Sequence, residues 1–173
     1  MSPTVHRQRA ETSLSKAVRE PAPRATRTPK AAALWFHDAV YDPRAGDNGA
    51  LSAAWAQRAL VQAGVDGDAV RRIAGLILAT RHDAPDEERR DAALLLDIDL
   101  AILGSPPDRF ARYDRDVRLE YGHVPEAAYR CGRAAVLRRF LARPRLYGTA
   151  PAVALLEAPA RRNLAAAIAG LKA

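Results

Sequence analysis

DAVRRIAGLILAT, residues 68–80, places Val70, Ile73, Leu76, Ile77 and Thr80 at intervals of three and four. That spacing gathers side chains on one face of a helix with 3.6 residues per turn, whereas a half-buried strand alternates every second residue. The stretch predicts a helix with one stripe against a core. On its N-terminal side the pattern predicts a helix over 49–63 that stops at Gly64, with Leu51, Trp55, Leu60 and Ala63 near one face. Before that, AAALWFHDAVY (31–41) reads as a strongly apolar helical segment ending at Asp42-Pro43, followed by a turn through Gly46, Asp47 and Asn48. On the C-terminal side the polar run 81–90 reads as a loop, and DAALLLDIDLAIL (91–103) is apolar nearly all round, the mark of a helix buried on most sides. Gly104 and Ser105-Pro106-Pro107 end it, and further helices are expected over 107–121, over 125–142 from near Pro125, and over 151–170.

Composition agrees with this pattern. Hydrophobic residues make up 49% of the 173, aromatics only 6%, and Ala, Leu and Arg dominate, a choice of helix formers over β-branched strand formers. The expected fold is all-α, a single-domain bundle of six to seven helices over 31–173, preceded by a basic segment over 1–30. That segment carries four prolines and no sustained apolar period, so ordering it would gain little burial, and it is expected to be disordered. It also holds seven Lys or Arg against two acids, +5 of the formal +7, leaving +2 for everything after Lys30. A nearly neutral body argues against nucleic acid as the partner. Cys131, the one cysteine, excludes an internal disulfide and a cysteine-rich zinc site, and is expected to pack within a helix. With no apolar run of membrane-spanning length and no secretory core at the start, the expected place of work is the cytoplasm.

The chemistry lies in acids set among apolar residues: His37-Asp38 in LWFHDAV, and Asp97 and Asp99 in LLLDIDLAIL. A buried carboxylate costs several kcal/mol unless it is hydrogen-bonded, paired or bound to metal, and a shared cation would satisfy both segments. Imidazole and carboxylate suit zinc, manganese, iron or magnesium. Asp97 and Asp99 project about 200° apart around a helix, so one can face the His37-Asp38 pair while the other meets solvent, a cap or a base. Spacing does not choose between them.

ALWFHDAVYD (33–42), DNGALSA (47–53), LILATRHDAP (76–85), LLLDIDLAILG (94–104) and YRCGRAAVLRRFLARPRLY (129–147), in this order, resemble successive blocks of the HD-superfamily metal-dependent phosphohydrolases. The resemblance implies an all-helical fold that holds a divalent metal ion (Mn, Mg, Zn, Fe, Co or Ni) and hydrolyses phosphate esters of a small metabolite or nucleotide. It places His37 and Asp38 at the HD pair and Asp99 at the final aspartate, and it gives Asp38 and His82 catalytic roles. His82 is further implied near a second metal or the phosphate, and Arg133, in the GR pair, is implied to clamp that phosphate. The family's first histidine block is missing: His6 lies at about the right distance upstream but in unlike surroundings. Gly49 stands where the family has a glutamate, and His82-Asp83 where it has a doubled histidine.

The residue-level alternatives are a His37-Asp38 hydrogen bond that fixes helices, an Asp97 bridge to a neighbouring helix, and a solvated basic face for Arg130, Arg133, Arg138, Arg139, Arg143 and Arg145. Trp35 and Trp55 read as core, and His123 has no role. Two competing functions follow: a degenerate member of the fold that binds a ligand or partner without turnover, and a basic nucleic-acid-binding helical protein.

Overall fold

In the computed structural model, which describes residues 28–42, 44–81 and 92–171, the chain is all-helical. The described residues form seven α-helices: α1 (Pro29–Phe36), α2 (Asn48–Gln62), α3 (Gly67–Ala79), α4 (Ala93–Asp99), α5 (Pro107–Glu120), α6 (Glu126–Leu141) and α7 (Ala150–Gly170). A 3-10 segment, Leu100–Gly104, continues from α4. The described residues contain no strand, and no helix among them is long and apolar enough to cross a membrane. The expected loop over 81–90 lies outside the described residues after Arg81, as does the segment up to residue 27.

The chain divides between Leu95 and Leu96 into two compact units. In the first, α1, α2 and α3 pack on one another. The first described helix starts with a cap: Thr28 Oγ1 accepts from Ala31 N–H and Pro29 opens the helix, so two features that satisfy or remove orphan donors coincide. The α3 stripe buries Val70, Ile73, Leu76 and Ile77 as the spacing predicts. The α2 face is corrected by about one residue: Ser52, Ala53, Ala56 and Leu60 are buried while Leu51 is exposed. Small residues at 52, 53 and 56 line the packed side, and the larger Leu51 is turned outward. Phe36 meets Trp55 edge-on with centroids 5.7 Å apart, and Trp35, expected in the core, is exposed.

In the second unit the 3-10 segment packs on α7 and α5, and α6 packs on α7. Leu103, Phe110, Leu137, Tyr147, Leu164 and Ile168 belong to its core. Gly104 permits the close approach to α7, since a Cβ there would stand 2.8 Å from Leu156 Cβ and 2.9 Å from its carbonyl oxygen. Over 92–103 the segment is buried on most sides as expected, with Leu94 and Ile98, one turn apart, forming its one exposed stripe. Polar groups of α7 hold the neighbouring loops. Glu157 accepts from the backbone N–H groups of Leu146 and Tyr147, Arg161 donates to the carbonyls of Leu141, Arg143 and Pro144, and Asn163 donates to those of Leu103 and Ser105.

Candidate functional site

The segment 31–41 does not run through as a helix; α1 stops at Phe36 and His37 is its C-cap. The sequence explains the stop. In a continuing helix the Leu34 carbonyl would accept from the Asp38 N–H, but His37 Nδ1 stands 2.7 Å from that carbonyl and takes it. Ala39 N–H turns back to the Phe36 carbonyl, and Pro43 disfavours helical backbone at Asp42. His37 and Asp38 therefore sit on a turn just past α1.

This capture defines the state of the ring. A carbonyl oxygen only accepts, so Nδ1 carries a proton and Nε2 presents either a second proton or a lone pair. Nε2 stands 3.4 Å from Asp38 Oδ2. A lone pair facing a carboxylate at that range is repulsive, so the pair calls for positive charge between its two atoms. An imidazolium proton supplies it, and so does a metal cation. Donor atoms about 2.0–2.2 Å from a tetrahedrally bound ion stand roughly 3.4 Å apart, so the pair fits two ligands of one ion. An Nδ1–H held by a backbone carbonyl is also the usual support of a ligating histidine.

Burial does not explain the acid at 38. The Asp38 side chain is 66% exposed, against 18% for His37, which corrects the expectation that both lie within an apolar helix. The buried acid is Asp97, at 4% exposure. Its carboxylate accepts from Gly148 N–H (2.7 Å), Thr149 N–H (2.8 Å) and Thr149 Oγ1 (2.6 Å). Thr149 is the N-cap of α7 and makes no capping bond of its own, so Asp97 supplies acceptors and negative charge where the helix dipole favours them. It is the polar bridge to a neighbouring helix. Asp99, on the same helix, is half-buried in the second unit.

His82 and His6 lie outside the described residues. Arg133 is inward and engaged: Nε and Nη2 donate to Asp114 Oδ1 at 3.0 and 2.7 Å, and the guanidinium lies 5.6 Å from the Tyr113 ring centroid. Burial opposes its charge, but the Asp114 hydrogen bond and neighbouring negative charge outweigh it, and its pKa is raised. Of the remaining basic run, Arg138, Arg139 and Arg145 are exposed, Arg130 bonds the Leu171 carbonyl, and Arg143 lies over the Phe140 ring. Cys131, expected to pack within its helix, is exposed, and His123 stacks on Tyr121. Among the described residues no three His, Cys, Asp or Glu side chains form a group able to hold an ion.

Comparison with protein-family models, curated proteins and solved structures finds no match for this chain.

The sequence placed Asn48 in a turn of its own and gave Ser52 no role, yet both shape the turn after α1. Asn48 and Ser52, on α2, bond the backbone of Asp42 and Val40. Their signal was a pair of polar residues four apart, in a helix whose buried face is otherwise apolar. Beside Asn48, a cavity of about 170 Å³ opens at the start of α2, with Gly46, Gly49 and Arg81 in its lining.

Proposed function

We propose that this protein is a metal-dependent phosphohydrolase acting on a small phosphorylated metabolite or nucleotide. The observation that carries the reading is the His37–Asp38 pair: a ring nitrogen and a carboxylate oxygen 3.4 Å apart, with the opposite ring nitrogen anchored on a main-chain carbonyl. The five ordered sequence blocks that resemble the HD superfamily support it. His37 and Asp38 would hold the ion, and the resemblance adds Asp99 as a further ligand. A divalent cation so held supplies Lewis-acid polarisation of a phosphoryl oxygen and lowers the pKa of a water nearby. The chain's own contribution is to fix the imidazole tautomer through Leu34 and to keep the Asp38 carboxylate open to solvent, where it can orient a water or take its proton. By the resemblance, His82 serves the phosphate or a second ion. Arg133, whose Nε and Nη2 are already held by Asp114, would clamp a substrate phosphate through its remaining donors or by exchanging that bond.

A second reading, a protein of this fold that binds without turnover, is favoured by one observation. Gly49 stands where the resembled family has a glutamate, and a Cβ there would meet Arg81 Cγ at 3.1 Å. The Arg81 side chain would have to move by a few tenths of an ångström to admit even that Cβ.

The test is a screen of phosphorylated metabolites with Mn²⁺, Co²⁺, Zn²⁺ or Mg²⁺, run beside His37→Ala. The phosphohydrolase reading expects phosphate release that chelator abolishes and that His37→Ala lowers by about two orders of magnitude or more. Metal binding without turnover of any substrate would favour the second reading. Absence of metal binding would end the first.

A further inference from the structure

Asp38 is two-thirds exposed, so packing does not hold it in place. Two anchors do. On one side the His37 ring is tied back to Leu34 in α1. On the other, Ser52, fully buried on α2, meets both backbone groups of Val40: Oγ accepts from Val40 N–H at 3.0 Å and donates to the Val40 carbonyl at 3.2 Å. One turn earlier on α2, Asn48 does the same for Asp42, with Oδ1 accepting from the N–H at 3.0 Å and Nδ2 donating to the carbonyl at 2.7 Å. Only Asp38 and Ala39 lie between the anchored residues 37 and 40.

The register of this clamp is geometric. Residues four apart on a helix advance about 6 Å, and two residues of extended chain advance about 6.6 Å. Side chains at 48 and 52 can therefore each grip one residue of an antiparallel segment at 42 and 40. The residue types follow as well. Each position must donate and accept at once, which a hydroxyl or a carboxamide does and an alanine or a carboxylate does not.

We propose that Asn48 and Ser52 are positioning residues for the metal pair, setting the separation of His37 Nε2 and Asp38 Oδ2 from outside the ligand set. This inference rests on the metal reading of His37 and Asp38 given above. A partner bonded directly to a ligand is worth about 10- to 100-fold in metal affinity; Asn48 and Ser52 grip the backbone at Asp42 and Val40 rather than the ligands themselves, so their contribution should lie at or below the lower end of that range.

The experiment titrates Co²⁺ into the full-length protein and follows its visible spectrum and calorimetric affinity in wild type, Ser52→Ala, Asn48→Ala and Ile73→Val. Amide hydrogen exchange of Val40 and Asp42 is measured in the same proteins without metal. Ile73→Val is a core change in α3, remote in sequence from the clamp, and reports the effect of lost stability alone. Asn48 is only half-buried, so its variant serves if Ser52→Ala does not fold. The expected result is loss of exchange protection at Val40 in Ser52→Ala and at Asp42 in Asn48→Ala, with Co²⁺ affinity weaker by up to about 10-fold and an altered spectrum in each. Ile73→Val should match wild type in affinity and spectrum. Unprotected amides with Co²⁺ affinity and spectrum unchanged would overturn the positioning role and leave the metal reading standing. Clamp-dependent protection in a wild-type protein that binds no Co²⁺ would overturn the metal reading itself, and the positioning role with it.

Discussion

Tyr147 shows what a buried polar group contributes in this protein. Its side chain is 1% exposed and its hydroxyl donates to the Leu100 carbonyl at 2.9 Å. Burial first, then the nearby charges of Glu157 and Asp97, push its pKa up to about 12 from 10. A folded pKa above the unfolded one means that folding favours the neutral phenol. The stabilisation is full below pH 10 and is lost as pH rises through 12, and a shift of this size is worth roughly 2–3 kcal/mol. Denaturant unfolding across this alkaline range should therefore show a fall in stability for wild type that is smaller in Tyr147→Phe, where Tyr129, its pKa also raised by burial, remains. At neutral pH the phenylalanine protein should be less stable by about 1 kcal/mol, the net value of the lost hydrogen bond. Asp97 allows a second prediction at this scale. Its three accepted hydrogen bonds join α4 to the start of α7, so Asp97→Ala should cost roughly 2–3 kcal/mol in urea unfolding.

At the scale of elements, helix ends govern what the sequence can reveal. The end of α2 is a Schellman turn, with Val65 N–H on the Leu60 carbonyl, Gly64 N–H on the Val61 carbonyl, and Gly64 at φ +73°. Gly64→Ala should destabilise by about 1–2 kcal/mol, because a Cβ is strained in that conformation. Gly75, exposed within α3 with nothing within 4 Å of its absent Cβ, should respond oppositely, gaining about 0.5–1 kcal/mol on conversion to alanine. Thermal melts of the two variants separate the effects by sign. Ends of this kind were legible, because glycine and proline act locally: Gly64, Pro107 and Pro125 all mark true boundaries. The end of α1 was not. It depends on a histidine ring taking a main-chain carbonyl, and on Asn48 and Ser52 gripping a segment that lies 6 and 12 residues earlier in the chain. Periodicity carries no record of such side-chain contacts. The α2 face was misread for a related reason. Apolar size suggested Leu51, but close packing chose Ser52 and Ala56.

At the scale of the whole molecule, the apolar setting of its acids was the most informative feature of the sequence, and it led to two different outcomes. Asp97 is buried as its neighbours predict, and its partners, 51 and 52 residues away, are a loop and a helix start. Asp38 is exposed despite the same kind of neighbours, because α1 ends two residues before it. What singles out Asp38 is its place beside a histidine whose tautomer is already fixed. His37 and Asp38 belong to the first compact unit and Asp99 to the second. The central claim is that a divalent cation occupies the interval between His37 and Asp38. Its most direct measurement is titration of Mn²⁺ into ¹⁵N-labelled protein, with paramagnetic broadening followed residue by residue. The account predicts that amide signals of His37, Asp38 and Ala39 disappear first, at substoichiometric Mn²⁺, and that they persist in His37→Ala. Broadening that spares these residues, or that is unchanged in His37→Ala, would contradict it.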